Sequence, residues 1–204
     1  MRTAIDARDL VARAVLAGLF LGLSYRIGLD VVETGRLTGV LLLVSELLVV
    51  VLTATRRAAI VVDRAWATRA VATVSVVGPF LLVPVASGPA PADAVTLVPS
   101  LAGLVLVVGG KVSLGRSFGL LPAHRGLVSS GLYGLVRHPI YLGYLLTHAA
   151  FLVANPGAWN LLVLALADTA LVVRAGREES TLARDPDYAA YRDRVRWRLL
   201  PGVY

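Results

Sequence analysis

Six long runs of apolar residues constrain the fold of this chain more than any other feature of its sequence. They cover Leu10–Leu29, Leu37–Thr55, Ala70–Ala86, Val95–Val108, Ile140–Ala154 and Trp159–Val173. Because a helix rises about 1.5 Å per residue, about 20 apolar residues are needed to cross the hydrocarbon core of a bilayer. The later runs are short enough to tilt little or to stop partway. The pattern predicts an all-α, polytopic membrane helix bundle with about five to six spans.

Composition excludes several classes of protein. Hydrophobic residues make up 57% of the 204 residues and charged residues only 16%, which is not the makeup of a soluble domain. The chain has no cysteine, so disulfides, thiolate catalysis and cysteine-based metal sites are excluded. Its histidines are too scattered to indicate a metal site. They are His124, His138 and His148.

The basic residues predict how the protein lies in the membrane. All of the Lys and Arg residues except Arg26 and Arg36 fall on one side of the predicted spans, which places both termini in the cytoplasm. The net charge of +7 then indicates contact with anionic lipid headgroups rather than with nucleic acid. We predict membrane lipids as partners and no obligate protein partner. The Arg-, Ala-, Val- and Leu-rich composition favours a bacterial inner membrane.

The chain divides into two regions of different character. Residues 1–110 hold the N-terminal transmembrane helices and few special residues, whereas residues 111–204 hold nearly all of the chemistry. A proline-rich stretch over Ser87–Pro99 predicts an extracytoplasmic loop, and the glycines and prolines of Lys111–His138 predict a loop with short helical pieces.

The last two apolar runs are predicted to form a helical hairpin. Pro139 suits the first turn of a helix, so the fifth span is expected to begin at about His138. The sequence Asn155-Pro156-Gly157 predicts a sharp turn, after which Trp159 opens the sixth span. The hairpin would bring two polar clusters together at the cytoplasmic face. One comprises Tyr133, Arg137, His138 and Tyr141, and the other Arg174, Glu178 and Glu179.

Glu46, His148 and Asp168 lie deep within the apolar runs, and ionisable residues inside a membrane are candidates for function. Their depths predict a pairing of His148 with Asp168, with a substrate-facing role as the alternative. Glu46 has no assignable partner, and we expect it to serve in packing.

Several ordered motifs in the C-terminal 90 or so residues resemble the isoprenylcysteine carboxyl methyltransferases, which are related to phospholipid methyltransferases. These motifs are Leu114 to Phe118, Gly126 to Val128, Gly131 to Tyr133, Arg137 to Gly143, Glu178-Glu179 with Leu182, Tyr188 with Tyr191, and Arg198 to Tyr204. The resemblance implies an integral membrane methyltransferase. Its S-adenosylmethionine would bind in a pocket that faces the cytoplasm, and its lipophilic acceptor would enter from the bilayer.

The resemblance also implies site residues. The implied cofactor contacts are Arg125, Gly126, Leu127, Val128, Tyr133, His138, Pro139, Ile140, Tyr141 and Glu178. At the first of these positions the isoprenylcysteine enzymes have a histidine, whereas this chain has Arg125, with His124 one place earlier. Arg174 matches the arginine that contacts the substrate. We take Arg174, Glu179 and Arg137 as the candidate catalytic residues.

The acceptor and the reaction class stay open at this point. A carboxylate acceptor would need orientation by Arg174 and no base, whereas an amine or hydroxyl would need Glu179 or His138 to remove a proton. An NADPH-dependent membrane reductase of a sterol-like or enone substrate is the alternative enzyme. A transporter or scaffold is the alternative without catalysis, and the arginines at the span ends would then only reach toward lipid headgroups.

Overall fold

A computed structural model describes residues 7–35, 37–63, 65–83 and 92–203 of the chain. In this part, seven α-helices dominate the fold. They are α1 (Ala7–Thr34), α2 (Leu37–Thr55), α3 (Trp66–Val77), α4 (Ala92–Leu114), α5 (Pro139–Ala154), α6 (Ala158–Leu182) and α7 (Tyr188–Arg194). Arg2, Arg36 and Arg64, which enter the predicted charge asymmetry, lie outside the described residues.

Four of these helices are long and apolar enough to cross a membrane. The qualifying segments are Arg13–Glu33, Leu37–Thr55, Val95–Ser117 and Ala158–Leu182, and two shorter apolar helices cover Trp66–Leu81 and Pro139–Ala154. The surface of α1 is apolar and exposed, as expected of a helix that faces lipid; Val32, for example, is 85% exposed. The predicted all-α, polytopic membrane bundle is confirmed.

The lengths of the later helices differ from the sequence prediction. Helix α4 begins at Ala92 and contains Pro99, so the part of the predicted loop from residue 92 onward is helical. It continues to Leu114, and Lys111 lies inside the helix rather than in a loop. Helix α6 runs nine residues beyond Val173, which was its predicted end. In both helices, charged residues that face protein neighbours interrupt the apolar pattern without ending the helix.

Helices α4 and α5 pack against each other at very short distance, because small residues lie at their crossing. A Cβ atom added to Gly143 would lie 2.5 Å from the carbonyl oxygen of Gly103, and a Cβ added to Gly103 would lie 2.6 Å from that of Gly143. Without a hydrophobic driving force between helices in lipid, such close backbone approach is a main source of helix association. Elsewhere α2 packs on α1 and α4, and α3 packs on α6.

The predicted hairpin is present. His138 lies immediately before α5, Pro139 is its first residue, and residues 155–157 connect α5 to α6. The missing N–H of Pro139 costs nothing at this position.

The segment between α4 and α5 is folded back against the connection between α2 and α3. Two short antiparallel strands, β1 (Val61–Val62) and β2 (Ala123–His124), pair Val61 with His124. Turns of 3₁₀ helix cover Gly115–Ser117 and Gly131–Gly134. The segment is therefore an ordered loop, as predicted for its part beyond α4.

Candidate active site

A cavity of about 790 Å³ extends through the bundle from the polar segment before α5 to the opposite end of that helix. His138 lines one end and Asn155 the other. Because α5 has 16 residues, these ends lie about 24 Å apart. Between them the wall is mainly apolar, with contributions from helices α1 to α6. The cavity thus joins a polar surface region to the interior of a membrane bundle.

The start of α5 and the last turns of α6 meet at the polar end. His138 Nδ1 lies 3.9 Å from Glu178 Oε2, although 40 residues separate them in sequence. The Tyr141 hydroxyl donates a hydrogen bond to Glu178 Oε1, and the rings of His138 and Tyr141 stack with centroids 5.3 Å apart. The two predicted polar clusters therefore form one group of side chains.

Arg174 lies at the junction of the polar and apolar parts of the cavity. Its Nε donates to Glu178 Oε1 at 3.3 Å, and its guanidinium lies 5.3 Å from the centre of the Tyr141 ring. Ser75 and the carbonyl oxygen of Gly119 accept weaker hydrogen bonds from its other nitrogens, at 3.5 and 3.3 Å. These contacts hold a buried cation in a fixed orientation, which suits the recognition of an anion.

Glu179 is not part of the cavity wall, and its side chain contacts Arg137, His138 and Arg198. Its carboxylate lies 3.1 Å from Arg137 Nε and 3.1 Å from His138 Nε2. It also accepts two hydrogen bonds from Arg198, from Nε at 3.0 Å and from Nη2 at 2.9 Å. A carboxylate surrounded in this way is a poor base. The geometry favours a positioning role for Glu179 over the predicted catalytic one.

The C-terminal tail is fastened to the same region through its backbone. The amide nitrogens of Arg137 and His138 donate to the carbonyl oxygens of Trp197 and Arg198 at 2.9 and 3.0 Å. The Tyr191 hydroxyl donates to the carbonyl oxygen of Tyr133 at 2.9 Å. The tail therefore fixes the segment from which His138 and Tyr133 reach the cavity.

Burial keeps the tyrosines of this region protonated. It raises the pKa of Tyr133 well above its ordinary value, and that of Tyr188 to about 12. At neutral pH their hydroxyls are hydrogen-bonding groups and not bases.

The loop before α5 supplies the remaining polar wall. Arg125, Gly126, Leu127 and Val128 all line the cavity. Gly126 has a φ of +104°, a conformation that other residues rarely adopt, so this turn requires glycine. His124 does not line the cavity; its Nε2 lies 2.8 Å from Asp185 Oδ2. Of these two neighbours, Arg125 lines the cavity and His124 does not.

Most of the predicted site residues come together at the polar end. The cavity wall includes Arg125, Gly126, Leu127, Val128, Tyr133, Arg137, His138, Ile140, Tyr141, Arg174 and Glu178. Pro139 is buried in the first turn of α5, beside the wall, and Glu179 is not part of the wall. No group of three or more His, Cys, Asp or Glu side chains in the described residues has a geometry that suits a metal ion.

Several contacts of the site were not predicted from the sequence. Ser75 and Gly119, which contact Arg174, carry no signal that distinguishes them from other small residues. The fully buried Lys111 donates to the Ser45 hydroxyl at 2.7 Å, and that hydroxyl lies 3.3 Å from Glu46 Oε1. Glu46 therefore has polar neighbours where none was assignable. A lysine so close to an apolar run was the available signal.

Comparison with known proteins agrees with the sequence motifs. Residues 101–184 match the isoprenylcysteine carboxyl methyltransferase (ICMT) family. The matched segment takes in most of α4, the loop, α5 and α6, and it contains all of the predicted site residues. The comparison with curated proteins finds no match to the chain. Over residues 101–184, the chain is therefore similar to a family of methyltransferases, and four of its described helices are long and apolar enough to cross a membrane.

Proposed function

We propose that the protein transfers a methyl group from S-adenosylmethionine to a small lipophilic acceptor, an isoprenoid carboxylate or a lipid, at the cytoplasmic membrane face. One observation carries the proposal: a single cavity connects a cluster of charged and aromatic side chains with an apolar space inside the membrane bundle. In such a cavity, a cofactor that enters from water and an acceptor that enters from the bilayer would bind next to each other.

The residues of the polar end fit the cofactor. S-adenosylmethionine supplies a methyl group on a positively charged sulfur, and it also carries an ammonium and a carboxylate. The Glu178 carboxylate would hold the ammonium, since it lines the cavity and its side chain is 23% exposed. The loop Arg125 to Val128, which lines the cavity, would hold the carboxylate. Tyr133, which lines the cavity, would offer an aromatic face to the nucleoside.

The geometry favours an acceptor that needs no proton removed. Glu179, one predicted base, pairs with Arg137 and Arg198, lies 3.1 Å from His138 Nε2 and is not part of the cavity wall. His138 lines the cavity, but Glu179 occupies its Nε2 and Glu178 lies near its Nδ1. Arg174 is placed to orient a carboxylate. We therefore favour a carboxylate over an amine or hydroxyl.

Positioning and the exclusion of water would supply most of the rate enhancement. A methyl transfer is an in-line displacement that depends on the alignment of donor and acceptor. The apolar wall contributed by Ile140 and Leu171 lies next to Tyr141 and keeps this part of the cavity dry. We place both termini, and thus the cofactor end, on the cytoplasmic side of a bacterial inner membrane, in accord with the basic flanks.

Thermal unfolding of the detergent-purified protein tests the cofactor directly. S-adenosylhomocysteine, the demethylated cofactor, should raise the unfolding temperature, because it binds only the folded state. At 100 times its Kd the stabilisation is about 2.7 kcal/mol. NADPH at the same concentration should have no effect. Stabilisation by NADPH alone would refute the methyltransferase and favour the reductase, and stabilisation by neither ligand would favour a transporter or scaffold.

A further inference from the structure

The part of the cavity beyond Arg174 is not uniformly apolar. Three polar aromatic residues of α5, Tyr141, Tyr144 and His148, all line the cavity. Their spacing of three and then four residues puts them on one face of the helix. His148 stacks on Tyr144 with ring centroids 6.2 Å apart. A polar stripe therefore follows the cavity into the membrane.

His148 is held in a defined orientation by Asp168 of α6. The distance from its Nδ1 to Asp168 Oδ1 is 2.6 Å, which confirms the predicted pairing. A carboxylate at one ring nitrogen fixes the ring and leaves the other nitrogen for a second partner. In the described part of the chain, Nε2 of His148 makes no hydrogen bond, and the side chain lines the cavity.

The other deep polar group has its partners within the protein. Lys111 donates to the carbonyl and hydroxyl oxygens of Ser45, at 3.0 and 2.7 Å, and it lies 5.8 Å from the centre of the Tyr144 ring. The Ser45 hydroxyl in turn lies 3.3 Å from Glu46 Oε1. The contacts of Lys111 are therefore with other residues of the protein, and they need no ligand. His148 offers its remaining nitrogen to the cavity, where a polar group without a partner is costly in a membrane protein.

We propose that His148 binds a second polar group of the acceptor, a hydroxyl located about 10 Å from the atom that is methylated. The distance follows from the helical rise over the seven positions from Tyr141, which contacts Arg174, to His148. The acceptor would then be a long lipophilic molecule with two polar groups, one at Arg174 and one at His148. A molecule with a plain hydrocarbon tail would lack the second group. This inference rests on the proposed function, because Arg174 must receive the acceptor's reacting end.

Two matched fatty acids test the inference. Decanoate and 10-hydroxydecanoate share the carboxylate for Arg174, and their chains are long enough to reach His148, but only the second has a distal hydroxyl. With saturating S-adenosylhomocysteine present, the purified protein should bind 10-hydroxydecanoate roughly 3- to 10-fold more tightly, which is the value of one neutral hydrogen bond. Isothermal titration calorimetry in detergent measures both Kd values.

The variant His148→Leu should lose the preference and bind the two acids equally. Phe151→Leu is the matched control, because Phe151 lines the same cavity one turn deeper and offers no hydrogen bond. It should change both Kd values by the same factor and keep the preference. If His148→Leu does not fold, because Asp168 loses its partner, the double variant H148L/D168L replaces the pair by apolar side chains and makes the same prediction.

The outcomes separate the two proposals. If S-adenosylhomocysteine stabilises the wild-type protein but the acids bind equally or not at all, the inference is wrong and the proposed function stands. A preference that survives in His148→Leu or in the double variant also contradicts the inference. If S-adenosylhomocysteine itself does not bind, the proposed function fails, and the inference fails with it.

Discussion

The two ends of the cavity are built in opposite ways. At the polar end, α5, α6 and the loop before them supply charged side chains that satisfy one another, with Glu178 and Glu179 as the anions. Farther along the cavity, α1 and α2 supply part of the wall through residues such as Ile27 and Leu42. The polar end lies within the segment that matches the methyltransferase family, whereas α1 and α2 lie outside it.

Because of this difference, the family match bears on the proposed cofactor site but not on the part of the cavity that α1 and α2 line. The residues proposed to hold the cofactor belong to the matched segment, so the match bears on the reaction. The residues proposed to hold the acceptor's tail belong in good part to helices that the match does not cover. We therefore expect changes at the polar end to abolish activity for every acceptor, and changes in α1 and α2 to alter which acceptor is used.

Glu178→Gln should have the largest effect. It removes the only carboxylate that lines the polar end among the described residues, so the ammonium of the cofactor loses its counter-charge. We expect no stabilisation by S-adenosylhomocysteine and no measurable methyl transfer. Glu33→Gln, which changes an exposed carboxylate on α1, is the control and should behave as the wild type. Cofactor binding retained in Glu178→Gln would contradict the account of the polar end.

Glu179→Gln should chiefly lower stability. The change leaves Arg137 and Arg198 without the anion that they share, and breaking a buried ion pair costs about 3–5 kcal/mol. Thermal unfolding without ligand should show a clear decrease in midpoint. Limited proteolysis should show faster cleavage in residues 183–203, because the tail loses its side-chain anchor. If unfolding is unchanged and only turnover falls, Glu179 acts in catalysis after all.

Arg174→Lys tests the junction between the two ends. Lysine keeps a positive charge near Glu178 but lacks the two additional guanidinium nitrogens that donate to Ser75 and Gly119. We expect the Kd for S-adenosylhomocysteine to change little and turnover to fall by about 100-fold, the scale for loss of one positioned donor. An equal loss of cofactor binding and turnover would show that Arg174 belongs to the cofactor site.

Gly143→Ala tests the packing that holds the α5 side of the cavity in place. The added Cβ would meet the backbone of Gly103, which cannot move aside as a side chain can, so we expect a destabilisation of about 1–3 kcal/mol. Gly176→Ala is the control, because nothing lies within 4 Å of its added Cβ. It should leave the unfolding temperature unchanged or raise it, as alanine favours helix. Equal behaviour of the two variants would contradict the described contact.

Leu42→Phe should have the smallest effect, and a selective one. Leu42 of α2 lines the cavity, so a larger ring would shorten the space for the acceptor's tail. We expect the KM for a long acceptor to rise by a few-fold, with the cofactor's Kd unchanged. Leu47→Phe changes an exposed residue of the same helix that is not part of the cavity wall, and it should have no effect. A change in cofactor binding in Leu42→Phe would show that the two ends are not independent.

The sequence predicts the hairpin and its polar clusters well, because strong local signals mark them. Pro139 and the turn at Asn155 to Gly157 place the two helices, and their short connection leaves only one arrangement. The sequence predicts helix ends less well where a charge is buried. Lys111 and Arg174 suggest the ends of their helices, yet both lie inside them, because Ser45 and Glu178 satisfy the charge. Ser45 is distant from Lys111 in sequence. Glu178 is four residues from Arg174, but the two can pair only if the helix continues past Arg174.

The role of Glu179 shows a second limit of sequence reasoning. Adjacent acids at 178 and 179 look equivalent in the sequence, but successive residues of a helix point in directions about 100° apart. Glu178 therefore lines the cavity, while Glu179 faces the tail and Arg198. Only the position of the tail distinguishes the two residues, and no local pattern specifies it.

Methyl transfer into lipid is the most direct test of the central claim that one cavity serves a soluble cofactor and a membrane-dissolved acceptor. The purified protein is incubated with a bacterial lipid extract and S-adenosylmethionine that carries tritium on its methyl group. The organic phase is then counted, with Glu178→Gln as the blank. We predict tritium in an organic-soluble product with the wild type and background counts with the variant. Background counts with a folded wild-type protein that binds S-adenosylhomocysteine, or equal counts with the variant, would contradict the claim.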